Sequence, residues 1–421
     1  MDALTGEPAA ATTDSQRQRP LLRLLQRGSL AVDEERERSF RPSIYWYISF
    51  RCNLACAHCS VSSSPWVDTS EDLTTADAMR VVEQMAELNV GTALLSGGEF
   101  MLRPDACEII GALGARGISC ALETNGITLG KPFVDLAREL QQRKLLNIGI
   151  SLDGGTRESH ERLRGPHSFE RTVRTLRMLR DEGIKYNVQA VMNQSNIETV
   201  PQLFDLAESL LPALDYLMFA FLNPVGRGIE LVQEIGLRPA DYHRICELVK
   251  QGLDRTRVKA IVKTPPATLP PRYLGLVFNH ERTLPAVSCQ FPLLGVLPNG
   301  DITICAVSRD NQDLYFGNIR SDRLKDIWTR TRMSMLRSRY VAADDLHGIC
   351  ADCIFKRICK GSCRAWAYED GGDFDAPFPV CAEMEREGSF PPVYRISTQD
   401  RELQKRVAQA EGCGGGCSCS H

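Results

Sequence analysis

Cysteines at 52, 56 and 59 stand in a CxxxCxxC spacing within RCNLACAHC, and CADCIFKRICKGSC places four more thiols in fourteen residues, from Cys350 to Cys363. Ordinary core packing does not ask for such density. Three thiolates on one tight loop can hold three irons of a cubane [4Fe-4S] cluster and leave the fourth iron open to another ligand. Zinc is the competing reading. A structural zinc site wants a fourth protein ligand at compatible spacing, and His58 lies between two of the thiols. The second stretch, taken alone, suits a zinc knuckle, a disulfide knot or an electron-transfer centre. A zinc ribbon would use two CxxC knuckles, and this stretch has one.

The remaining thiols bear on that choice. The chain has 16 cysteines in 421 residues: three in the first group, seven between 289 and 381, three among the last nine residues, and the separate Cys107, Cys120 and Cys246. The separate three sit in apolar or amphipathic surroundings and read as small buried hydrophobes. A secreted disulfide scaffold would be short and carry a signal sequence. The N-terminal MDALTGEPAAATTDSQRQRP lacks a signal's apolar core and cleavage site, and no run of about 20 apolar residues follows. A cytoplasmic, soluble protein with no membrane partner is expected, and clustering in such a chain favours metal over disulfide. A net charge of -3, with 24% charged and 43% hydrophobic residues, is an ordinary globular mixture that gives no reason to expect a nucleic-acid partner. At 46.9 kDa the chain is long enough for one large catalytic domain and a smaller one.

The first thiol group directly follows SIYWYISF at 43–50, an aromatic and β-branched run that reads as a buried strand. Helical and strand patterns then alternate. LTTADAMRVVEQMAEL offers Thr74 or Thr75 as a cap and puts Met79, Val82, Met85 and Leu88 on one face; TALLS is a short strand. A helix at 104–116, a strand at 119–123, a helix at 132–143 and a strand at 147–152 follow. In SFERTVRTLRMLRDEG, Ser168 is a candidate cap, Phe169, Val173, Leu176 and Leu179 the core face, and Gly183 the stop. The strand YNVQAVM, a helix at about 200–210 and the strand YLMFAFL complete six β/α units. The expected fold class is α/β: a partial (β/α)6 TIM-like barrel with chemistry on the loops after the strands. A helix near 239–253 precedes the proline-rich TPPATLPPRYLG, which marks a boundary. The domains so drawn are an N-terminal arm at 1–42, the barrel at 43–265, a cysteine-rich α+β domain at 280–390, and a C-terminal helix and Cys/Gly-rich tail at 391–421.

In this setting the chain resembles the radical S-adenosylmethionine (SAM) enzymes, whose CxxxCxxC matches Cys52, Cys56 and Cys59. SGGE, containing Gly97, Gly98 and Glu99, ends the second strand, where the family motif binds the cofactor's amino group. ETNG closes the third strand and ISLDG the fourth. The resemblance implies that Ser151 and Asp153 face the cofactor's ribose or carboxylate side. Arg164 is a candidate for its carboxylate, because an arginine fork suits that anion, with a surface ion pair as the alternative. NPVGRG, after the sixth strand, resembles a loop near the adenine. The second half resembles the SPASM extension of these enzymes, with all seven cysteine positions matched. That resemblance implies two auxiliary [4Fe-4S] clusters with crossed ligands. Cys350, Cys353, Cys359 and Cys381 surround one, while Cys363 joins Cys289 and Cys305 around the other, whose fourth ligand has no match. Cys413, Cys417, Cys419 and His421 either form a further metal site or are incidental thiols of a glycine-rich tail.

The activity implied is that of an oxidoreductase. An electron entering the first cluster cleaves SAM to a 5′-deoxyadenosyl radical, which removes a substrate hydrogen; the auxiliary clusters suit a net oxidation. The favoured substrate is a ribosomally synthesised peptide, with a thioether or C–C crosslink formed. The alternatives are an anaerobic sulfatase-type protein maturase, tetrapyrrole side-chain modification as in the haem pathway, and a non-catalytic iron–sulfur electron carrier, which would not need SGGE or ISLDG. Expected partners are the peptide or protein substrate, an electron donor such as flavodoxin or ferredoxin, and a separate peptide-recognition protein. No residue stands out as the catalytic acid or base.

Overall fold

The computed structural model describes residues 41–278 and 293–396. The N-terminal arm to residue 40, Cys289, and the tail cysteines with His421 lie outside the described residues.

Strand β1, Ser43–Tyr47, is the first of ten in one sheet. Its alternation sends Ile44 and Trp46 into a fully buried layer and Tyr45 and Tyr47 to the opposite face. Five further β/α units follow with boundaries close to those expected. Helix α1 is Thr75–Glu87 and strand β2 Thr92–Ser96; α2 is Ala106–Ala115, β3 Ser119–Thr124, α3 Lys131–Gln142 and β4 Leu146–Ser151. Helix α1 starts at Thr74, whose side chain accepts from the Asp77 N–H while the Asp77 carboxylate accepts from the Thr74 N–H, a reciprocal cap. It buries Ala78, Val81, Val82 and Met85 against the sheet, with Met79 at the margin.

Two features between β4 and β5 depart from expectation. A helix absent from the sequence reading, α4, spans Arg157–Arg164 and is opened by a Thr156–Ser159 reciprocal cap. Helix α5, Ser168–Asp181, is not capped by Ser168: His167 precedes it in the left-handed region, and the Ser168 hydroxyl donates to the Gly165 carbonyl instead. Its core face is as expected, with Val173, Leu176 and Leu179 buried and Phe169 at the margin, and Gly183 at φ +70° turns the chain out of it.

Strand β5, Tyr186–Met192, helix α6, Val200–Ser209, and strand β6, Leu214–Phe221, complete the six units. After α7, Gly228–Ile235, and α8, Pro239–Arg255, a three-residue strand β7, Ala260–Val262, pairs parallel with β6 and adds a seventh parallel strand. At the other edge β8, Leu293–Val296, pairs parallel with β1, followed by β9, Asp301–Thr303, and β10, Tyr315–Asn318, in antiparallel pairing. The order is therefore β10-β9-β8-β1-β2-β3-β4-β5-β6-β7, an open curled sheet whose cysteine-rich half begins as an extension of the barrel. The main core runs through both parts, joining Ile44 and Trp46 to Leu294, Val296 and Ile302.

The proline-rich run is a buried seam. Residues 264–270 are all buried, Leu269 in the main core and Ala267 in a second core containing Cys350, Cys353, Cys359 and Cys381. The Tyr394 hydroxyl donates to the Leu269 carbonyl across it at 2.9 Å. The helices of the cysteine-rich half are α9, Leu324–Thr329, α10, Thr331–Ala342, α11, Arg364–Gly371, and α12, Pro379–Arg386, with shorter helical turns between them.

Candidate functional site

The loop after β1 carries Cys52, Cys56 and Cys59 and is fastened from several sides. The Cys52 N–H donates to Ser64 O at 3.0 Å, and the Ala57 N–H to Leu163 O, at the end of α4, at 2.7 Å. From the β6–α7 loop, the Arg227 guanidinium donates to Cys56 O at 2.8 Å and Ser63 O at 2.7 Å, and its backbone N–H donates to Cys59 O at 3.1 Å. Gly226, at φ +56°, lies so close that an added Cβ would be 2.5 Å from the Cys59 and Ser60 carbonyl oxygens. NPVGRG thus has two jobs: Asn223 and Val225 line a cavity, while Gly226 and Arg227 clamp the cysteine loop.

Gly97 and Gly98 also line the cavity, but the closest constraint on them is the protein's own backbone. A Cβ on Gly97, at φ +123°, would meet Ser49 O at 2.3 Å, and one on Gly98 would meet Arg51 O at 2.0 Å. The Gly98 and Glu99 N–H groups donate to those same carbonyls, which stitches SGGE to the segment leading into Cys52. Glu99 does not line the cavity. Its buried carboxylate accepts from Thr124 Oγ1 at 2.8 Å, Asn125 N at 2.9 Å and Met101 N at 3.3 Å; burial raises its pKa while these donors oppose the rise. Asn125 completes the link by donating to Asn53 Oδ1 at 2.7 Å.

Asp153 likewise stands behind the cavity wall. Its carboxylate is fully buried, ion-paired with Arg164 Nε at 2.5 Å, bonded by the Val191 N–H at 2.8 Å and 3.4 Å from His58 Nε2. Burial alone would raise its pKa, but Arg164, the two neighbouring imidazoles and the Val191 N–H bring it down to about 2. Arg164 is therefore in a buried pair, not a surface one, and it lines the cavity beside the cysteine loop. His58 and His160 are kept neutral, chiefly by burial, with pKa values lowered to about 4 and about 3. Ser151 lines the cavity.

In the C-terminal half the thiols divide. Cys350, Cys353, Cys359 and Cys381 surround one small cavity from which Cys363 is absent. Cys305 and Cys363 both pack against an apolar group that includes Ile304, Ala365 and Phe374 and both line a larger cavity, while Cys363 also packs against the core that holds the other four. That larger cavity, about 460 Å³, is lined both by Cys52, Cys56 and Cys59 and by Cys305 and Cys363. Tyr45, Tyr47, Glu123, Gln189, Tyr242 and Lys263 form much of its wall.

The donor set fits iron–sulfur groups. The sulfurs accept backbone N–H bonds, from Leu54 to Cys52, Ser63 to Cys59, Val307 to Cys305 and Phe355 to Cys353, as thiolate ligands require. Burial pushes the Cys52 and Cys359 thiols up to about 12, and Cys350, Cys353 and Cys381 upward as well. A bound metal cation reverses that preference and deprotonates a coordinating thiol. Cys120 and Cys246 are core residues and Cys107 packs against that core.

Sequence reasoning missed Tyr45, Tyr47, Arg227 and Lys263. The signal for the tyrosines was the period-2 alternation of β1, which puts them on the face opposite the buried Trp46. Arg227 stood in a loop already singled out.

The sequence profile of the Radical SAM superfamily matches residues 46–207, and that of an iron–sulfur cluster-binding domain, SPASM, matches residues 289–354. An "AdoMet-dependent heme synthase" of Methanosarcina barkeri is 30% identical over 80% of this chain and 95% of its own. A "Mycofactocin maturase MftC" of Mycolicibacterium smegmatis is 27% identical over 80% of this chain and 82% of its own. Among solved structures, Streptococcus suis SuiB bound to its precursor peptide SuiA superposes with a TM-score of 0.61 at 16% identity, covering 94% of this chain and 84% of that one. SuiB bound to S-adenosylmethionine gives 0.60 at 18% identity, covering 80% and 76%.

Proposed function

The chain belongs to the radical SAM enzymes that carry a SPASM iron–sulfur domain, and from that premise we propose that it oxidatively modifies a ribosomally synthesised peptide, forming a thioether or C–C crosslink. The observation that carries this reading is the single cavity bounded by Cys52, Cys56 and Cys59 and by Cys305 and Cys363. The residues that would hold an auxiliary cluster thereby wall the space in which the substrate reacts, as a net oxidation calls for.

When bound, the first cluster and SAM supply a 5′-deoxyadenosyl radical that removes hydrogen from a substrate carbon. The chain's own residues prepare for this. Gly97, Gly98, Ser151 and Arg164 offer backbone and cationic contacts to the cofactor. Glu99 and Asp153 hold the walls behind them through the hydrogen bonds described above. Tyr45, Tyr47, Phe221, Tyr242 and Phe378 present an aromatic lining that limits water around the substrate. Lys263 also lines the cavity and suits an acidic group of the substrate.

At about 460 Å³ the cavity is of the size of a small-molecule site. The maturase relative and the peptide-bound SuiB are in keeping with a peptide substrate. The second reading, tetrapyrrole side-chain modification, is favoured by the 30% identity over nearly all of the haem synthase relative. In either case the reading includes a cytoplasmic setting, a flavodoxin- or ferredoxin-type electron donor and, for a peptide, a separate recognition protein. Among the described residues no helix is long and apolar enough to cross a membrane.

The test is anaerobic turnover with SAM and reductant in the presence of either a small cysteine-containing peptide encoded beside the gene or an iron tetrapyrrole bearing propionates. Loss of two mass units from the peptide is expected. Loss of carbon dioxide from the tetrapyrrole, with the peptide unchanged, would transfer the assignment to the second reading.

A further inference from the structure

Among the described residues, Cys52 and Cys305 are ligand sulfurs that face a side-chain donor in addition to a backbone N–H. Cys52 is approached by Asn125 Nδ2 at 3.9 Å. Cys305 accepts from the Val307 N–H at 3.3 Å and from the Tyr47 hydroxyl at 3.9 Å, a contact across 258 residues of sequence. Tyr47 belongs to none of the motifs named above and is not a ligand.

The surroundings of Tyr47 fix what its hydroxyl does. The residue is 5% exposed and packs in an apolar group with Val61, Leu297 and Ala306, with Cys59 at its margin. Its apolar group therefore touches Cys59 while its hydroxyl is directed at Cys305 Sγ. The ring is held by stacking on Tyr45, with centroids 4.6 Å apart and planes within 5°. Tyr45 points its own proton elsewhere, to Glu123 Oε2 at 2.5 Å. The two tyrosines are alike in chemistry, but the Tyr47 hydroxyl donates to a ligand sulfur whereas that of Tyr45 donates to a carboxylate.

We propose that Tyr47 is a positioning residue that sets the reduction potential of the iron–sulfur group at Cys305 and Cys363. This rests on the reading that those two thiols hold an auxiliary cluster. A donor aimed at a ligand sulfur stabilises the reduced, more negative state more than the oxidised one, so it raises the potential. The donor comes from barrel strand β1, so the potential of this group depends on correct docking of β8–β10 against the barrel.

The test is an EPR-monitored redox titration of the full-length protein, anaerobically reconstituted with iron and sulfide and without substrate. Tyr47→Phe removes one oxygen and keeps the ring. It is expected to lower the midpoint of one auxiliary signal so that the reduced-to-oxidised ratio at fixed poise falls about tenfold, about 59 mV for one electron. The other signals stay in place, and Tyr45→Phe moves none of them. Replacing Tyr47 by 3-fluorotyrosine, a more acidic donor of nearly the same shape, moves the same midpoint upward. Cys363→Ala identifies the signal by abolishing it, while Cys353→Ala abolishes a different one. If Cys363→Ala does so but Tyr47→Phe and 3-fluorotyrosine leave every midpoint unmoved, or move all together, the role of Tyr47 is overturned and the ligand reading stands. If Cys363→Ala and Cys353→Ala abolish the same signal, the ligand reading fails and the proposal with it.

Discussion

Replacing Arg164 with alanine strands the fully buried Asp153 carboxylate, and breaking a buried pair of this kind costs about 3–5 kcal/mol. Arg164→Ala is accordingly expected to lower the denaturation midpoint sharply, and an unchanged midpoint would show that the pair does not hold the wall. His160 gives a pH signature. Its pKa in the fold is about 3, against about 6.5 in an unfolded chain. As pH falls below 6.5 the unfolded chain takes up a proton that the fold refuses, so stability present above 6.5 is lost toward pH 3. Between pH 7 and 5.5 wild type should lose about 1.3 kcal/mol more than His160→Asn, and Asp153, ionised throughout, does not contribute in this window. Urea denaturation at the two pH values checks this; equal losses in the two proteins would contradict it. At this scale the thiols were legible because spacing along one loop is a sequence property. Asp153 and Glu99 were recognisable as motif members, but their place behind the wall follows from partners 25 to 38 residues away, Thr124, Asn125 and Val191.

At the scale of elements, the β6–α7 loop matters because it presses on the cysteine loop. Gly226→Ala combines a left-handed φ with a Cβ 2.5 Å from two carbonyl oxygens, a strain of about 1–3 kcal/mol that displaces the loop. After reconstitution the variant should lack about four irons per chain and the SAM-linked cluster signal, with both auxiliary signals retained. Full iron content would mean that the clamp is dispensable. The six β/α units were readable because each pairs a period-2 strand with a 3.6-period helix. Helix α4 escaped because its eight residues, RESHERLR, are polar and bury only Ser159, His160 and Leu163. Strand β7 has three residues, and β8–β10 have three or four each, too few for a period. Their place in the sheet comes from pairing with β6 and with β1, the latter some 250 residues away in sequence. TPPATLPPRYLG was read as a boundary from its prolines; its burial follows from packing into two cores, Leu269 and Tyr273 in the main one and Ala267 in that of Cys350 and Cys353, which composition does not encode.

In the whole molecule one sheet and one cavity join the barrel to the cysteine-rich half, so that Cys52, Cys56 and Cys59 line a common space with Cys305 and Cys363. The most direct test is 5′-deoxyadenosine formation by the anaerobically reconstituted protein supplied with SAM and reductant, compared between wild type, Cys363→Ala and Cys52→Ala. Formation of 5′-deoxyadenosine is predicted in wild type and in Cys363→Ala, whose first cysteine loop is intact, and not in Cys52→Ala. Its absence from wild type, or its persistence in Cys52→Ala, would contradict the account.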